Sequence, residues 1–175
     1  MKRILNMAFI PLLLAAGGAF AANAASSGMD DGNQTLTRTE SRPSFTGPEQ
    51  TFTGKVKVEM LFSPVGDLPA SGAYVSFDAG ARSAWHTHPA GQTLIVTSGR
   101  GLTQEWGGPV VEIRPGDVIR CPAGVKHWHG AAPDSPMTHL AITGDVNGKN
   151  VEWMEKVSDS QYHGKQDLAA SAVDH

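Results

Sequence analysis

Five of the seven histidines in this chain lie between residues 86 and 139, with a spacing suited to metal binding. His86 and His88 form one pair two residues apart, and His127 and His129 form another. Residues i and i+2 of a β-strand share a face, so each pair directs both imidazoles to one side. Neutral imidazoles held on rigid strands are good ligands for divalent transition metals. Together with His139, the two pairs predict a metal site. The alternative is a set of unrelated core or surface histidines.

The segments that carry these histidines have the pattern of short β-strands. Apolar and polar residues largely alternate from Val56 to Phe62, which is the period of a half-buried strand. Glycine-rich turns, such as 98–101 and 107–109, separate the later runs. Short strands at this spacing are typical of an all-β sandwich or barrel. The later predicted strands are 73–77, 83–88, 92–97, 102–106, 110–113, 117–121, 125–129 and 137–142, with 151–157 as a further candidate.

A short helix is expected near the end of the chain. Ser158 and Gln161 have the spacing of a capping box, in which each side chain bonds to the other residue's backbone. Residues 164–175 are expected to be frayed, with His163 and His175 solvated. Cys121 is the one cysteine, so no internal disulfide can form. We interpret it as a small buried apolar residue rather than a metal ligand or nucleophile.

The first 24 residues have the pattern of a secretory signal peptide. Lys2 and Arg3 give a positive start, residues 4–16 are largely apolar, and small residues follow. The alternative is an uncleaved anchor, but the apolar run is shorter than the about 20 residues that span a bilayer. We therefore predict an exported, periplasmic protein that does not stay in the membrane after cleavage. Residues 25–50 lack an apolar period and predict a flexible arm before one domain at 51–163.

The overall composition is that of a soluble globular protein. Hydrophobic residues make up 40% of the chain and charged residues 18%, with a formal net charge of −3. No basic patch of five or more residues occurs, so nucleic acids and anionic membranes are not expected as partners. A small-molecule substrate is the expected partner.

The histidine segments resemble the two sequence motifs of the cupin superfamily. The match includes motif glycines and a proline as well as the ligands. It runs as Gly80-x5-His86-x-His88-x3-Gln92-x6-Gly99 and then Gly116-x5-Pro122-x-Gly124-x2-His127. Gln92 stands where the superfamily usually has glutamate, and Ala131 where it usually has asparagine. The resemblance implies a single, jelly-roll-like cupin β-barrel, here with a short C-terminal helix. Such barrels often pair, which implies a homodimer or homotetramer.

A closer resemblance covers residues 52–163. It is to small bacterial cupins related to carboxymuconolactone decarboxylase, which include the manganese-dependent hydroxynitrile lyases. The segments that carry it are 85–89, 91–97, 126–130, 137–142 and 152–155. In those lyases a glutamine is the fourth protein ligand of the metal. The resemblance therefore implies a metal on His86, His88, Gln92 and His127.

The same resemblance implies roles for residues around the metal. The base of the lyases corresponds to His139, while Ala73 and Val75 would line the substrate pocket. Thr143 stands where the lyases often have glutamine, which bears on substrate preference more than on reaction type. From the residues alone, His139 is a general base or acid, a residue that orients a ligand or water, or a plain core residue. His129 is a second candidate for the same proton transfer.

The donor set indicates both the metal and its chemistry. Three imidazoles and one neutral amide leave a divalent ion its full charge, which makes it a strong Lewis acid. Mixed nitrogen and oxygen donors without thiolate suit Mn(II) or Fe(II). We expect Mn(II), with Fe(II), Zn(II) and Ni(II) as alternatives.

The expected function is that of a metal-dependent lyase which cleaves or forms cyanohydrins, for example mandelonitrile from benzaldehyde and cyanide. Two other functions are compatible with the same residues. One is a cupin oxygenase or isomerase acting on a small aromatic or oxygenated compound. The other is a non-catalytic module that binds a metal or ligand. Fold alone does not decide among them.

The signal pattern makes a direct prediction about processing. When the gene is expressed with export, the mature chain should begin near residue 22 or 25, after the small-residue sites Ala19-Phe20-Ala21 or Ala22-Asn23-Ala24. N-terminal sequencing of the exported protein would check this, and a mature protein that retains Met1 would contradict it.

Overall fold

The computed structural model of the protein describes residues 34–164. The signal peptide predicted at 1–24 and the tail beyond Gly164 lie outside the described residues. From Leu36 onward the described chain forms one unit. Among the described residues, no helix has the length and apolar character needed to cross a membrane.

The described chain is built mainly of β-strands, which confirms the predicted all-β class. Two short helical segments accompany them, a 3-10 turn at Thr39–Ser41 and helix α1 at Asp159–Tyr162. The strands are β1 Ser44–Thr46, β2 Phe52–Thr53, β3 Val56–Phe62, β4 Ala70–Phe77, β5 Arg82–Ser83, β6 His86–Thr87, β7 Gln92–Gly99, β8 Gly101–Glu105, β9 Val111–Ile113, β10 Val118–Cys121, β11 His127–Ala131, β12 Met137–Gly144 and β13 Glu152–Trp153.

The strands form two sheets with antiparallel pairing. One sheet has the order β1-β3-β4-β12-β7-β10. The other runs β13-β6-β11-β5-β2, with β8 joining β11 to β9. The main apolar core draws residues from both sheets, including Phe77 and Leu94 from the first and Ile113 and Ala131 from the second. A smaller cluster contains Trp85, Trp128, Val157 and Tyr162. Inward and outward residues alternate strictly along β12, so Met137, His139, Ala141 and Thr143 are buried as its pattern predicts.

Two segments differ from the sequence expectation. Strand β1 lies inside the range 25–50, for which the sequence predicts a flexible arm. Its three residues are exposed and it is held by backbone pairing to β3, so no apolar period marks it. The run 83–88, predicted as one strand, divides into β5 and β6. Between them Trp85 exchanges backbone hydrogen bonds with Met154 and Glu155 instead of continuing the same pairing.

The C-terminal helix packs against the outer side of the strand that carries two of the histidines. The predicted capping box is confirmed, because Ser158 Oγ accepts from Gln161 N and Ser158 N donates to Gln161 Oε1. Tyr162 at the helix end donates a 2.7 Å hydrogen bond to the carbonyl of Ala131. Its ring lies 5.7 Å from that of Trp128. Strand β11 is therefore supported on its outer face by this helix.

The turn between β7 and β8 makes a prediction about stability. Gly99 has φ +73, and a Cβ there would overlap the carbonyl oxygen of Pro136. Gly107 has a similar φ of +81 with open space around it. Gly99→Ala should lower the free energy of unfolding by about 2–5 kcal/mol, and Gly107→Ala by about 1–2 kcal/mol. Urea unfolding would measure both, and equal losses would contradict the overlap.

Candidate metal centre

Neighbouring strands bring the predicted metal ligands together. His86 on β6 lies directly opposite His127 on β11, and their ring centroids are 4.4 Å apart. The ring centroid of His88 lies 5.0 Å from that of His86 and 5.4 Å from that of His127. Gln92 begins β7, and its Oε1 lies 3.5 Å from Nε2 of His127. All four side chains are buried. The four predicted ligands are thus adjacent inside the barrel.

His129 belongs to the same cluster. Among the described residues, ligand nitrogens of His86, His127 and His129 lie within 4.8 Å of one another. From the sequence, His129 is a candidate for proton transfer and not a predicted metal ligand. His129 lies two residues after His127 on β11, so both side chains are on the inward face of that strand. This shared face brings His129 close to the predicted ligands.

The three histidines predicted as ligands are anchored in the same way. In each, Nδ1 bonds to a backbone carbonyl, which can only accept, so Nδ1 carries the proton. The lone pair of each neutral ring is then on Nε2, which is the tautomer that a metal requires. The bonds run from His86 to Ala84 (2.9 Å), from His88 to Asn150 (2.6 Å) and from His127 to Val125 (2.9 Å).

Burial keeps these rings neutral. It lowers the pKa of His127 to about 4 because the charged ring would lose its hydration. The pKa of His86 lies well below its ordinary value, through burial first and then through the nearby His127. Burial also lowers the pKa of His88. At neutral pH each ring therefore presents a lone pair and no positive charge.

The donor atoms face one another without hydrogens between them. Nε2 of His127 and Oε1 of Gln92 are both acceptors in this tautomer, 3.5 Å apart. Nε2 of His88 is buried and makes no hydrogen bond of normal geometry within the described chain. Buried acceptors without donors are uncommon and call for a cation or a water. Three imidazole nitrogens and an amide oxygen fit a divalent metal ion.

A second histidine pair lies beside the cluster. His139 on β12 has Nε2 at 3.0 Å from Nδ1 of His129, and both rings pack near Phe77. Burial lowers the pKa of His139 to about 3 and that of His129 well below its ordinary value, where neighbouring His139 adds to the effect. The two rings are therefore neutral and share one hydrogen bond.

The unpartnered nitrogen of this pair indicates its tautomer. Nδ1 of His139 is buried without a hydrogen-bond partner in the described structure. A buried orphan acceptor costs less than a buried orphan N–H, so the proton is on Nε2 of His139 and is donated to His129. The proton of His129 then lies on its own Nε2. In this state Nε2 of His129 carries a hydrogen and has no lone pair to offer a metal. His88 and Gln92 are therefore better suited than His129 to complete the ligand set.

The cluster opens onto a cavity of about 330 Å³. Its wall includes the predicted pocket residues Ala73, Val75 and Thr143, and also His129 and His139. The same wall includes His86, His88 and Gln92, whereas His127 does not line it. Most of the remaining lining is apolar, from residues such as Val58, Met60 and Ala141. A small apolar molecule in this cavity could therefore contact both the predicted metal ligands and the histidine pair.

The mouth of the cavity contains residues that sequence reasoning missed. Trp153 is 39% exposed and lines the cavity. It lies opposite His86 through the β13–β6 pairing, with ring centroids 4.8 Å apart. Phe45 of β1 lines the mouth as well. Only the strand pairing reveals these positions, because both residues lie on short strands without an apolar period.

A lysine joins the two chain segments that form the mouth. Lys156, shortly after β13, donates from Nζ to the backbone carbonyls of Glu49 and Phe52. The segment before β2 is thereby tied to the segment after β13. The mouth is thus built from parts of the chain about a hundred residues apart in sequence.

Comparisons with known proteins agree with this architecture. Residues 73–143 match the cupin domain family. The (R)-mandelonitrile lyase of Granulicella tundricola is 54% identical over 127 residues, which are 73% of this chain and 97% of that protein. The solved structure of a cupin-like protein from Thermotoga maritima is 37% identical, with a TM-score of 0.66, covering 78% of this chain and 99% of that one.

A more distant solved structure shows the fold alone. It is a cupin-2 domain protein from Rhodospirillum rubrum, 19% identical with a TM-score of 0.59, covering 76% of this chain and 95% of that one. The topology, the family match and a relative matched over almost its whole length lead to one conclusion. The chain belongs to the cupin superfamily.

Proposed function

We propose that this protein is a metal-dependent lyase that cleaves or forms cyanohydrins. The observation that carries the proposal is a single cavity whose wall holds both metal-donor side chains and a neutral histidine pair. The 54% identity to a protein named (R)-mandelonitrile lyase supports this reaction class. The cupin fold and the histidine cluster support a divalent metal ion, and the proposed ion is Mn(II).

The proposed ligands are His86, His88, Gln92 and His127. Their donor atoms are uncharged, and backbone hydrogen bonds fix the three rings before any ion binds. When bound, the ion would supply Lewis acidity that stabilises negative charge developing on the substrate. Fe(II), Zn(II) and Ni(II) suit the same donors, since nitrogen and oxygen ligands do not select strongly among these ions.

The cavity suits a substrate with one apolar end and one polar end. Small side chains at Ala73 and Ala141 leave room for an apolar group such as a phenyl ring. The polar part of the cavity wall includes the proposed ligands His86, His88 and Gln92 together with the pair His129 and His139. A volume near 330 Å³ is at the lower end of the range for small-molecule sites, which favours a compact substrate such as mandelonitrile.

His139 is the proposed base, with His129 as its hydrogen-bond partner. In the favoured tautomer the lone pair on Nδ1 of His139 is the free basic site of the pair. It would take the proton of the cyanohydrin hydroxyl. The oxygen electrons then form the aldehyde carbonyl, and the electron pair of the C–C bond leaves with cyanide. Because burial makes a charged His139 costly, the proton returns readily to cyanide, giving hydrogen cyanide.

The metal assignment predicts the effect of removing one ligand. His127→Ala should lose most of the bound metal, because three donors no longer close the geometry that the strands preorganise. His163→Ala is the matched control, since His163 is an exposed residue at the end of α1. Elemental analysis of manganese-loaded protein after dialysis should find about one ion per chain in wild type and control. Equal metal in all three proteins would reject the site.

The base assignment predicts a different pattern for His139→Ala. This variant should keep near-normal metal content while mandelonitrile cleavage falls about 100-fold or more, the usual scale for a positioned base. The measurement is benzaldehyde release by protein of known metal content. Wild-type turnover in the variant would refute the role of His139. A fully loaded wild type that is inactive on cyanohydrins but consumes oxygen with small aromatics would favour the oxygenase alternative.

A further inference from the structure

We propose that Thr143 is a positioning residue for the metal site, which directs the amide oxygen of Gln92 toward the ion. The inference rests on the proposed ligand role of Gln92. Two contacts define it, since Nε2 of Gln92 donates a 3.0 Å hydrogen bond to Oγ1 of Thr143, and Oε1 lies 3.5 Å from Nε2 of His127. The amide is thus held at its nitrogen end while its oxygen end faces the cluster.

The orientation of this amide decides whether Gln92 can bind a metal. Its oxygen has lone pairs, whereas its nitrogen carries two hydrogens and has none to donate to an ion. A rotation of the amide by half a turn would place the NH2 group against Nε2 of His127, where the two could hydrogen-bond. The donor set then loses both the amide oxygen and the free lone pair of His127. A glutamate ligand, with two equivalent oxygens, would not need this control.

Thr143 is well placed to hold the amide in the productive orientation. It lies directly opposite Gln92 in the β12–β7 ladder, so its distance is fixed by backbone pairing. Its β-branched side chain is stiff about χ1, and only 7% of the residue is exposed. In this arrangement Oγ1 of Thr143 is the acceptor of the buried amide N–H. Gln92 is only 8% exposed, so little water is available to replace the bond.

Removing the hydroxyl should therefore weaken metal binding through Gln92. Thr143→Val keeps the shape but leaves the buried N–H without an acceptor, and the amide is then free to turn toward His127. Thr143→Ser keeps the acceptor. We expect Thr143→Val to weaken Mn(II) affinity by about 10–100-fold and Thr143→Ser by less than about threefold, as for other residues that orient ligands.

The experiment measures Mn(II) affinity of metal-free protein by competition with a fluorescent chelator. Thr138→Val is the matched control, because Thr138 is on the same strand and bonds to Ser76 and not to a ligand. It should leave the affinity unchanged. The electron paramagnetic resonance spectrum of bound Mn(II) should change in Thr143→Val and stay close to wild type in Thr143→Ser. Thermal melting of the metal-free variants identifies any loss that comes from unfolding.

A double-mutant cycle with Gln92→Ala separates positioning from a general effect on the site. If Thr143 acts through the amide, Thr143→Val should cause no further loss of affinity in the Gln92→Ala background. An equal loss in both backgrounds, or wild-type affinity in Thr143→Val, would overturn the proposal. Metal binding with the expected pattern but without cyanohydrin turnover would overturn the lyase proposal and support this one. Failure of the wild type to bind Mn(II) would overturn both.

Discussion

Four buried side chains with uncharged donor atoms lie together in this barrel and impose its main constraint. The rings of His86, His88 and His127 are held by carbonyls at Nδ1, and Gln92 is held at its amide nitrogen. None of these bonds supplies a hydrogen to the centre of the cluster. Such an arrangement is unfavourable for the metal-free protein, because acceptors are desolvated without partners. The surrounding strands must therefore keep the donors in place before the proposed metal ion binds.

The architecture meets this constraint by distributing the donors over several strands. His86 and His127 are in direct register across one sheet, and Gln92 and Thr143 are in direct register across the other. In each pair, backbone hydrogen bonds between the strands set the distance between the two residues, rather than side-chain packing. The outer face of β11 is braced in turn by Trp128 and by Tyr162 of the terminal helix. The terminal helix therefore supports the strand that carries His127, a proposed metal ligand.

Much of this arrangement could be predicted from the sequence, because it depends on local periodicity. The alternation in β3 and β12, the His-x-His pairs and the capping box at Ser158 each depend on residues close together in the chain. The adjacency of Gln92 and Thr143 and the contact between His129 and His139 depend on strand order, which local patterns do not encode. The family resemblance indicated His139 as a base. Neither the spacing of the histidines in the sequence nor the strand propensity of their segments predicted the hydrogen bond between His139 and His129.

The mouth of the cavity has a consequence for redesigning the protein. Phe45 and Trp153 belong to segments that Lys156 ties together through the carbonyls of Glu49 and Phe52. Both aromatic side chains are exposed and line the cavity, whereas small residues such as Ala73 and Ala141 line its buried part. To widen the range of substrates, the aromatic side chains at this opening would therefore be replaced by smaller ones before any change to the inner wall. Because the ring of Trp153 lies 4.8 Å from that of His86, a proposed metal ligand, Phe45 is the position at which access can be altered with less effect on reactivity.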